Sequence, residues 1–234
     1  ISYEALQQIE AADEKEKFST VVYSEDWHKG VIGIVASRLI ESYYRPTLVF
    51  TKSGEKLAAS ARSVKGFDVY EALEQCSEHL EQFGGHKYAA GLTLSPDQYI
   101  PFKEKFEAVV KKTIDKELLI PEIAIDSPLE LSDITPKFFR ILKQMGPFGP
   151  KNMKPVFTTN AVRDNGYGKR VGADKSHLKL NIINGADQKT YNAIGFGLGD
   201  KITSTQNDFD IVYNLDENEW NGNTSIQLLL KDIK

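Results

Sequence analysis

The spacing of apolar residues changes character near residue 120, and that change constrains the chain more than any other feature. Ahead of it, short β-branched and aromatic runs alternate with stretches at helical spacing; beyond it, one helical stretch is followed by strands alone. At 234 residues the chain is long for one domain, so the change marks a boundary between two units, each able to bury its own core.

Residues 2–17 combine good helix formers with few apolar anchors, which predicts a connecting helix over 1–17 that packs on something upstream. A strand is expected over 18–23 and a helix over 31–44, with Ile32, Val35, Leu39 and Tyr43 on one face and Pro46 as its stop. Strands over 47–51 and 57–63 flank a Ser53-Gly54 turn, and a helix over 69–80 turns Leu73, Cys76 and Leu80 inward. Gly84-Gly85-His86 leads into a strand over 88–94, and Ser95-Pro96-Asp97 opens a helix running to about residue 118. This order predicts an α/β domain over 18–119. Beyond it, 122–129 alternates, 135–145 reads as a helix, and Gly146-Pro147-Phe148-Gly149-Pro150 breaks the chain. Strands over 156–163, 178–183, 190–196, 208–215 and 225–230, separated by Asn, Gly and Asp turns, suit a small, mainly β, closed barrel of the OB-fold kind over 120–234. Tyr213 and Trp220 read as its core.

Hydrophobic residues at 41% and charged residues at 26% fit an ordinary globular protein. No run approaches the roughly 18 apolar residues of a spanning helix, and the first residues are not signal-like, so a cytoplasmic protein is expected. Cys76 stands alone, and His28, His79, His86 and His177 are dispersed, so no local metal site is announced. A net charge of -4 sits awkwardly with nucleic-acid binding, yet the charge is segregated. Between Lys151 and Lys179 seven bases (Lys151, Lys154, Arg163, Lys169, Arg170, Lys175, Lys179) face only Asp164 and Asp174, whereas acids dominate the first 17 residues.

Several residues offer anion chemistry. Gly84 and Gly85 let backbone N–H groups approach a phosphate beside His86, or else form a simple glycine turn. Arg62, flanked by Ser60 and Ser63, can grip a phosphate bidentately or be a plain surface arginine. Trp27 and His28 precede a helix whose N-terminus attracts anions, or are a core anchor and its polar neighbour. In the second unit, Arg163, Lys169, Arg170, Lys175, His177 and Lys179 surround Tyr167, the mixture of charge and stacking found in single-strand grooves, or a solvated barrel surface.

Four blocks of sequence bear on the first domain's readings and on the barrel's end. Trp27-His28-Lys29-Gly30-Val31-Ile32-Gly33-Ile34-Val35-Ala36-Ser37-Arg38, Ser60-Ala61-Arg62-Ser63, and Phe83-Gly84-Gly85-His86-Lys87-Tyr88-Ala89-Ala90-Gly91 resemble segments of the RecJ family, the last carrying the GGH and AAG signature of the domain that accompanies DHH phosphoesterases. The stretch from Tyr213 to Asn223, followed by Ile226-Gln227-Leu228, is similar to the end of the RecJ OB-fold domain. Lys29 departs from the pattern, standing where the family often has proline. The resemblance implies a DHH-associated α/β domain followed by an OB-fold domain. It implies a parent exonuclease degrading single-stranded DNA from the 5′ end in recombination and repair, with Mn2+ or Mg2+ held by an upstream DHH domain and no catalytic or metal residue here. His28, Ser60, Arg62, Gly84, Gly85 and His86 would then bind substrate phosphates. Partners would be single-stranded DNA, the DHH domain and a single-strand-binding protein, with no membrane. The rival readings are a non-catalytic single-strand-binding or assembly module, and a relative acting on short oligonucleotides or cyclic dinucleotides, for which a second binding platform is superfluous.

Overall fold

The computed structural model describes residues 1–184, 187–220 and 222–234. Its contacts divide the chain into Ile1–Glu122 and Ile123–Lys234. The first unit contains, in order, α1 (Ser2–Ala11), β1 (Thr20–Tyr23), α2 (Ile32–Ser42), β2 (Thr47–Ser53), β3 (Lys56–Arg62), α3 (Val69–Glu74), β4 (Gln82–His86), β5 (Ala89–Leu94) and α4 (Tyr99–Thr113). The strands form one five-stranded sheet in the order β1-β2-β3-β5-β4, parallel between β1 and β2 and antiparallel elsewhere.

Alternation along each strand sends apolar side chains to both faces of this sheet. Val21, Leu48, Phe50, Leu57, Ala59, Ala61, Leu92 and Leu94 pack on one side against Leu73 of α3 and Phe102, Phe106 and Val110 of α4. Val22 and Val49 pack on the other against Ala5 and Ile9 of α1 and Ile32, Val35, Ala36 and Leu39 of α2. Phe102 meets Phe50 edge-on at 5.7 Å and stacks on Phe106 at 5.8 Å. Glu107 on α4 fixes the entry to β1 by accepting from the backbone N–H groups of Phe18 and Ser19, each at 2.9 Å. The α3 start is capped by Asp68, whose Oδ1 accepts from Tyr70 N at 3.0 Å.

The second unit contains β6 (Ser127–Pro128), α5 (Pro136–Gln144), β7 (Phe157–Asp164), β8 (Lys169–Val171), β9 (His177–Asn184), β10 (Asp187–Gly195), β11 (Phe209–Trp220) and β12 (Asn223–Ile233). The sheet runs β6-β7-β11-β12-β10-β9-β8, and an additional β7–β9 pairing closes it. Among these strands β10 and β12 run parallel, whereas β7, β9 and β11 pair antiparallel with their neighbours in the closed ring. A five-stranded closed barrel results, the OB-fold architecture. Leu178, Leu180, Ile182, Ala193, Ile211, Leu228 and Leu230 fill it, and Phe139 and Leu142 of α5 join the same core. Tyr213 is fully buried with its hydroxyl 2.9 Å from Thr159 Oγ1, and burial pushes its phenol up to about 12.

Several expectations need correction. The opening helix ends at Ala11, not residue 17, and is no bare connector: Ala5 and Ile9 are fully buried in this unit, and Trp27 Nε1 donates to Glu4 Oε2 at 2.8 Å. The helix expected over 69–80 stops at Glu74, yet Cys76 is fully buried by a following 3-10 turn, and burial raises its thiol to about 12. Likewise α4 ends at Thr113, and Leu118 and Leu119 reach the core through a 3-10 turn capped by Asp115. Gly84-Gly85-His86 is strand, not turn. Tyr213 is core as expected, while the Trp220 side chain lies outside the described residues.

Replacing Phe102, fully buried between Phe50 and Phe106, by alanine removes the centre of the α4 face. Chemical denaturation of Phe102→Ala is expected to show a loss of about 3–5 kcal/mol in the transition of the first unit.

Candidate nucleic-acid interface

Directly paired residues on antiparallel strands point to the same side of a sheet. Pairing carries Ser60 across to Gly91 and on to Gly84, and Arg62 across to Ala89 and on to His86. Ser60, Arg62, Gly84 and His86 therefore share a face, with β3 and β4 about two inter-strand spacings, roughly 10 Å, apart. It is the face on which α2 lies, and α2 packs chiefly on β2 and β3. On that side Gly84, His86 and Gly91 are exposed. The result is a shelf floored by glycine and alanine and bordered by the start of α2.

Arg62 stands at the foot of that border. Its Nη1 donates to Ser60 Oγ at 2.9 Å and to the Ala61 carbonyl at 2.8 Å. Its Nη2 lies against Gly33 in the first turn of α2, where an added Cβ would come within 2.8 Å. Val31 at the helix N-cap offers no side-chain cap, so the free N–H groups of that turn add positive potential beside a guanidinium. Arg62 has no carboxylate partner among the described residues, and this clustering of uncompensated positive charge suits an anion. Gly33 belongs to the first of the four sequence blocks, yet nothing local singles it out; only the fold brings it against Arg62.

The glycines of the shelf divide by cause. Gly85 has φ 152°, and a Cβ there would fall 2.3 Å from the Ala89 carbonyl oxygen, so the β4–β5 hairpin itself requires glycine. Gly84 has nothing within 4 Å of an added Cβ, and its partner Gly91 has only the Ala59 carbonyl oxygen at 3.9 Å. Their bareness serves no packing inside this unit. His28 stands apart, exposed in the loop before α2, with Nδ1 accepting from Gly30 N at 3.1 Å, which leaves Nε2 as its N–H donor.

In the barrel, β8 sets Lys169 opposite Lys179, Arg170 opposite Leu178 and Val171 opposite His177. Leu178, Leu180 and Ile182 point inward, so Lys179 and Asn181 face out, beside Ile194 and Asn192 of β10. Two lysines directly opposed repel each other. Among the described residues Lys169, Lys175 and Lys179 have no acidic partner, whereas both arginines of the patch are engaged. Arg163 grips Asp208 through Nε and, at 3.0 Å, through Nη2, and this hydrogen bonding holds the Asp208 carboxyl below the usual range. Arg170 Nη2 meets Asp200 Oδ1 at 3.0 Å.

Tyr167 is 74% exposed at the tip of the β7–β8 loop. Phe196, 63% exposed just past β10, meets His177 edge-on at 5.2 Å, and His177 Nδ1 accepts from Gly197 N at 3.1 Å. In the sequence Phe196 reads only as the end of a strand; its signal is an aromatic where alternation along β10 points outward. Together the surface offers free ammonium groups interleaved with two exposed aromatic rings. Among the described residues no three His, Cys, Asp or Glu side chains converge, so the residues present do not fit a metal ion.

Comparison with known proteins agrees with this division. Residues 16–112 match the DHHA1 domain and residues 125–232 the RecJ OB domain. The single-stranded-DNA-specific exonuclease RecJ of Bacillus subtilis (strain 168) is 34% identical over 234 residues, covering 98% of this chain and 29% of that protein. The Escherichia coli (strain K12) RecJ is 30% identical over 221 residues, covering 91% of this chain and 37% of that protein. The crystal structure of Thermus thermophilus RecJ in complex with Mn2+ superposes with a TM-score of 0.78 at 26% identity, over 99% of this chain and 33% of that one. The chain thus spans about a third of the length of these relatives, and it belongs to the RecJ family, of which it carries the DHHA1 and OB domains.

Proposed function

We propose that this chain is the substrate-gripping part of a single-stranded-DNA-specific exonuclease that degrades DNA from the 5′ end in recombination and repair. Residues 18–119 would read substrate phosphates and residues 120–234 would hold the strand. The observation that carries this reading is the Lys169–Lys179 pair, without an acidic partner among the described residues, on the outer face of a closed barrel that also exposes Tyr167 and Phe196. Like-charge pairing of this kind is relieved by a phosphate backbone, and exposed rings offer stacking to bases. On the shelf, Arg62, Ser60 and the α2 start supply a phosphate pocket over the bare Gly84–Gly91 floor, with His86 at its far side and His28 and Gly85 at its margin.

Cleavage itself would belong to a DHH domain outside this chain, holding Mn2+ or Mg2+, the ions bound in Thermus thermophilus RecJ. There the metal would activate water and stabilise the leaving oxygen. What this chain contributes is binding and orientation of the strand. A cytoplasmic setting, and docking of a single-strand-binding protein, complete the proposal.

Three outcomes are expected. In fluorescence-anisotropy titrations, the chain prefers a single strand to a duplex of equal length, and Lys169→Ala with Lys179→Ala weakens binding about tenfold and makes the log–log salt slope shallower by about 1.4, or ~0.7 per phosphate contact. A slope unchanged by the double substitution sinks the barrel as the strand grip. Gly84→Val does not destabilise the unit and is expected to raise its stability by about 0.5–1 kcal/mol, because nothing lies near the new side chain and the conformational cost of glycine is removed. Yet it removes discrimination between 5′-phosphorylated and 5′-hydroxyl strands, as Arg62→Ala does; discrimination that survives both changes places the phosphate elsewhere. Finally, the purified chain releases no nucleotides from DNA with manganese or magnesium present, and measurable hydrolysis would overturn the division of labour.

A further inference from the structure

Two acids, Asp164 and Asp174, lie inside the basic stretch, and among the described residues neither forms an ion pair with its lysines or arginines; Asp174 is exposed, whereas Asp164 is enclosed by its own loop. Asp164, at the end of β7, is half-buried, and its carboxylate accepts three backbone N–H groups. Oδ2 accepts from Gly166 N at 2.9 Å and from Gly168 N at 2.7 Å, while Oδ1 accepts from Asn181 N on β9 at 2.9 Å. Tyr167 sits between the two glycines held by that single oxygen. Gly166 has φ 93°, which favours glycine, and a Cβ on Gly168 would fall 2.9 Å from Asp164 Oδ2 and 3.0 Å from Leu180 Cδ2. The loop is thus wrapped around the carboxylate, and the third bond ties the wrap to the barrel wall.

From this geometry we infer that Asp164 is a positioning residue: it fixes the β7–β8 loop so that Tyr167 stands ready to stack on a base. The inference rests on the reading of the barrel as a single-strand grip and adds a division among its acids. Asp200 and Asp208 neutralise arginines of the patch, whereas Asp164 builds the surface that binds. A rigid ring costs less ordering on binding than a mobile one, so the loss of Asp164 falls on affinity.

The consequence is a change of sign. If charge alone mattered, removing any of these acids beside DNA would tighten binding. Asp200→Asn and Asp208→Asn are expected to tighten single-strand binding by the whole chain severalfold by releasing Arg170 and Arg163. Asp164→Asn, which places an amide donor against at least one backbone donor, is expected to weaken it by about fivefold or more, the low end of losing one stacked base. In a Tyr167→Ala background Asp164→Asn should no longer weaken binding, since it acts through that ring; a general loss of structure would weaken both backgrounds alike. All titrations are made at a temperature where circular dichroism shows each variant folded. Tighter or unchanged binding by Asp164→Asn, or equal weakening with and without Tyr167, overturns the inference while leaving the grip intact. Failure of the unsubstituted chain to bind a single strand at low salt overturns the grip and the inference together. Amide exchange read by NMR then reports the loop separately: Gly166 and Gly168 N–H groups that stay protected in Asp164→Asn show that the carboxylate does not hold it.

Discussion

Helix width sets what the first unit can offer. A sheet of five strands spaced about 4.8 Å apart is roughly 19 Å across, while a helix with its side chains is about 10–12 Å wide. On the face that carries Val22 and Val49, α2 lies over β2 and β3 and α1 over β1, which leaves β5 and β4 with no helix above them. A bare half-sheet normally carries polar side chains, and this one has Thr93 and Gln82 at one end and His86 at the other, but Gly84, Ala89 and Gly91 between them. Small residues on an open face leave backbone within reach of whatever lies there. The opposite face shows the contrast, since α3 and α4 cover it and the strands there are apolar except at Lys52 near the end of β2.

Charge in the second unit is organised by pairing more than by amount. A net charge of -4 spread evenly would repel a polyanion, but the acids are not spread evenly. Arginines 163 and 170 are held by Asp208 and Asp200, so their forks are already occupied, and along β8, β9 and the turn between them Lys169, Lys175 and Lys179 have no acidic partner among the described residues. Lys175 also adopts φ 57°, a conformation uncommon for a side chain of its kind, at the turn leading into β9. Point charges on flexible stems follow a backbone without demanding a fixed geometry, whereas planar arginine forks specify one. A surface of that composition favours binding along a strand over recognition of a particular sequence.

Much of this was legible in the sequence, and the parts that were not share a cause. Helix α2 follows from the spacing of Ile32, Val35 and Leu39, and α5 from Thr135, whose hydroxyl accepts from Phe138 N at 3.1 Å, with Pro136 in the first turn. For α3 the pattern correctly named the inward residue Cys76 but not the 3-10 turn that brings it in, and after α4 it gave no sign of the 3-10 turn that carries Leu118 to the core. Apolar spacing encodes which side chains are buried, and more than one backbone path satisfies it. Strand β4 was missed because its burial shows no clear alternation and two of its residues are glycines, features that arise at an exposed edge. Ser60 and Arg62 could be placed on one face from sequence alone, but their alignment with Gly91, Gly84 and His86 depends on pairing across β5, which no local signal carries.

The same limit explains why the glycines had to be judged in three dimensions. In the sequence Gly84 and Gly85 are equivalent, a pair ahead of a histidine. In the fold one is demanded by the chain's own backbone and the other is not, since only Gly85 combines a positive φ with a blocked Cβ. A glycine that its own fold does not require costs conformational entropy without structural return, of the order of 0.5–1 kcal/mol relative to alanine. Gly84 and Gly91 incur that cost side by side, opposite Ser60 and one residue pair from Arg62. Nothing in the packing of this unit offsets it, and on the same face Arg62 has no carboxylate partner among the described residues.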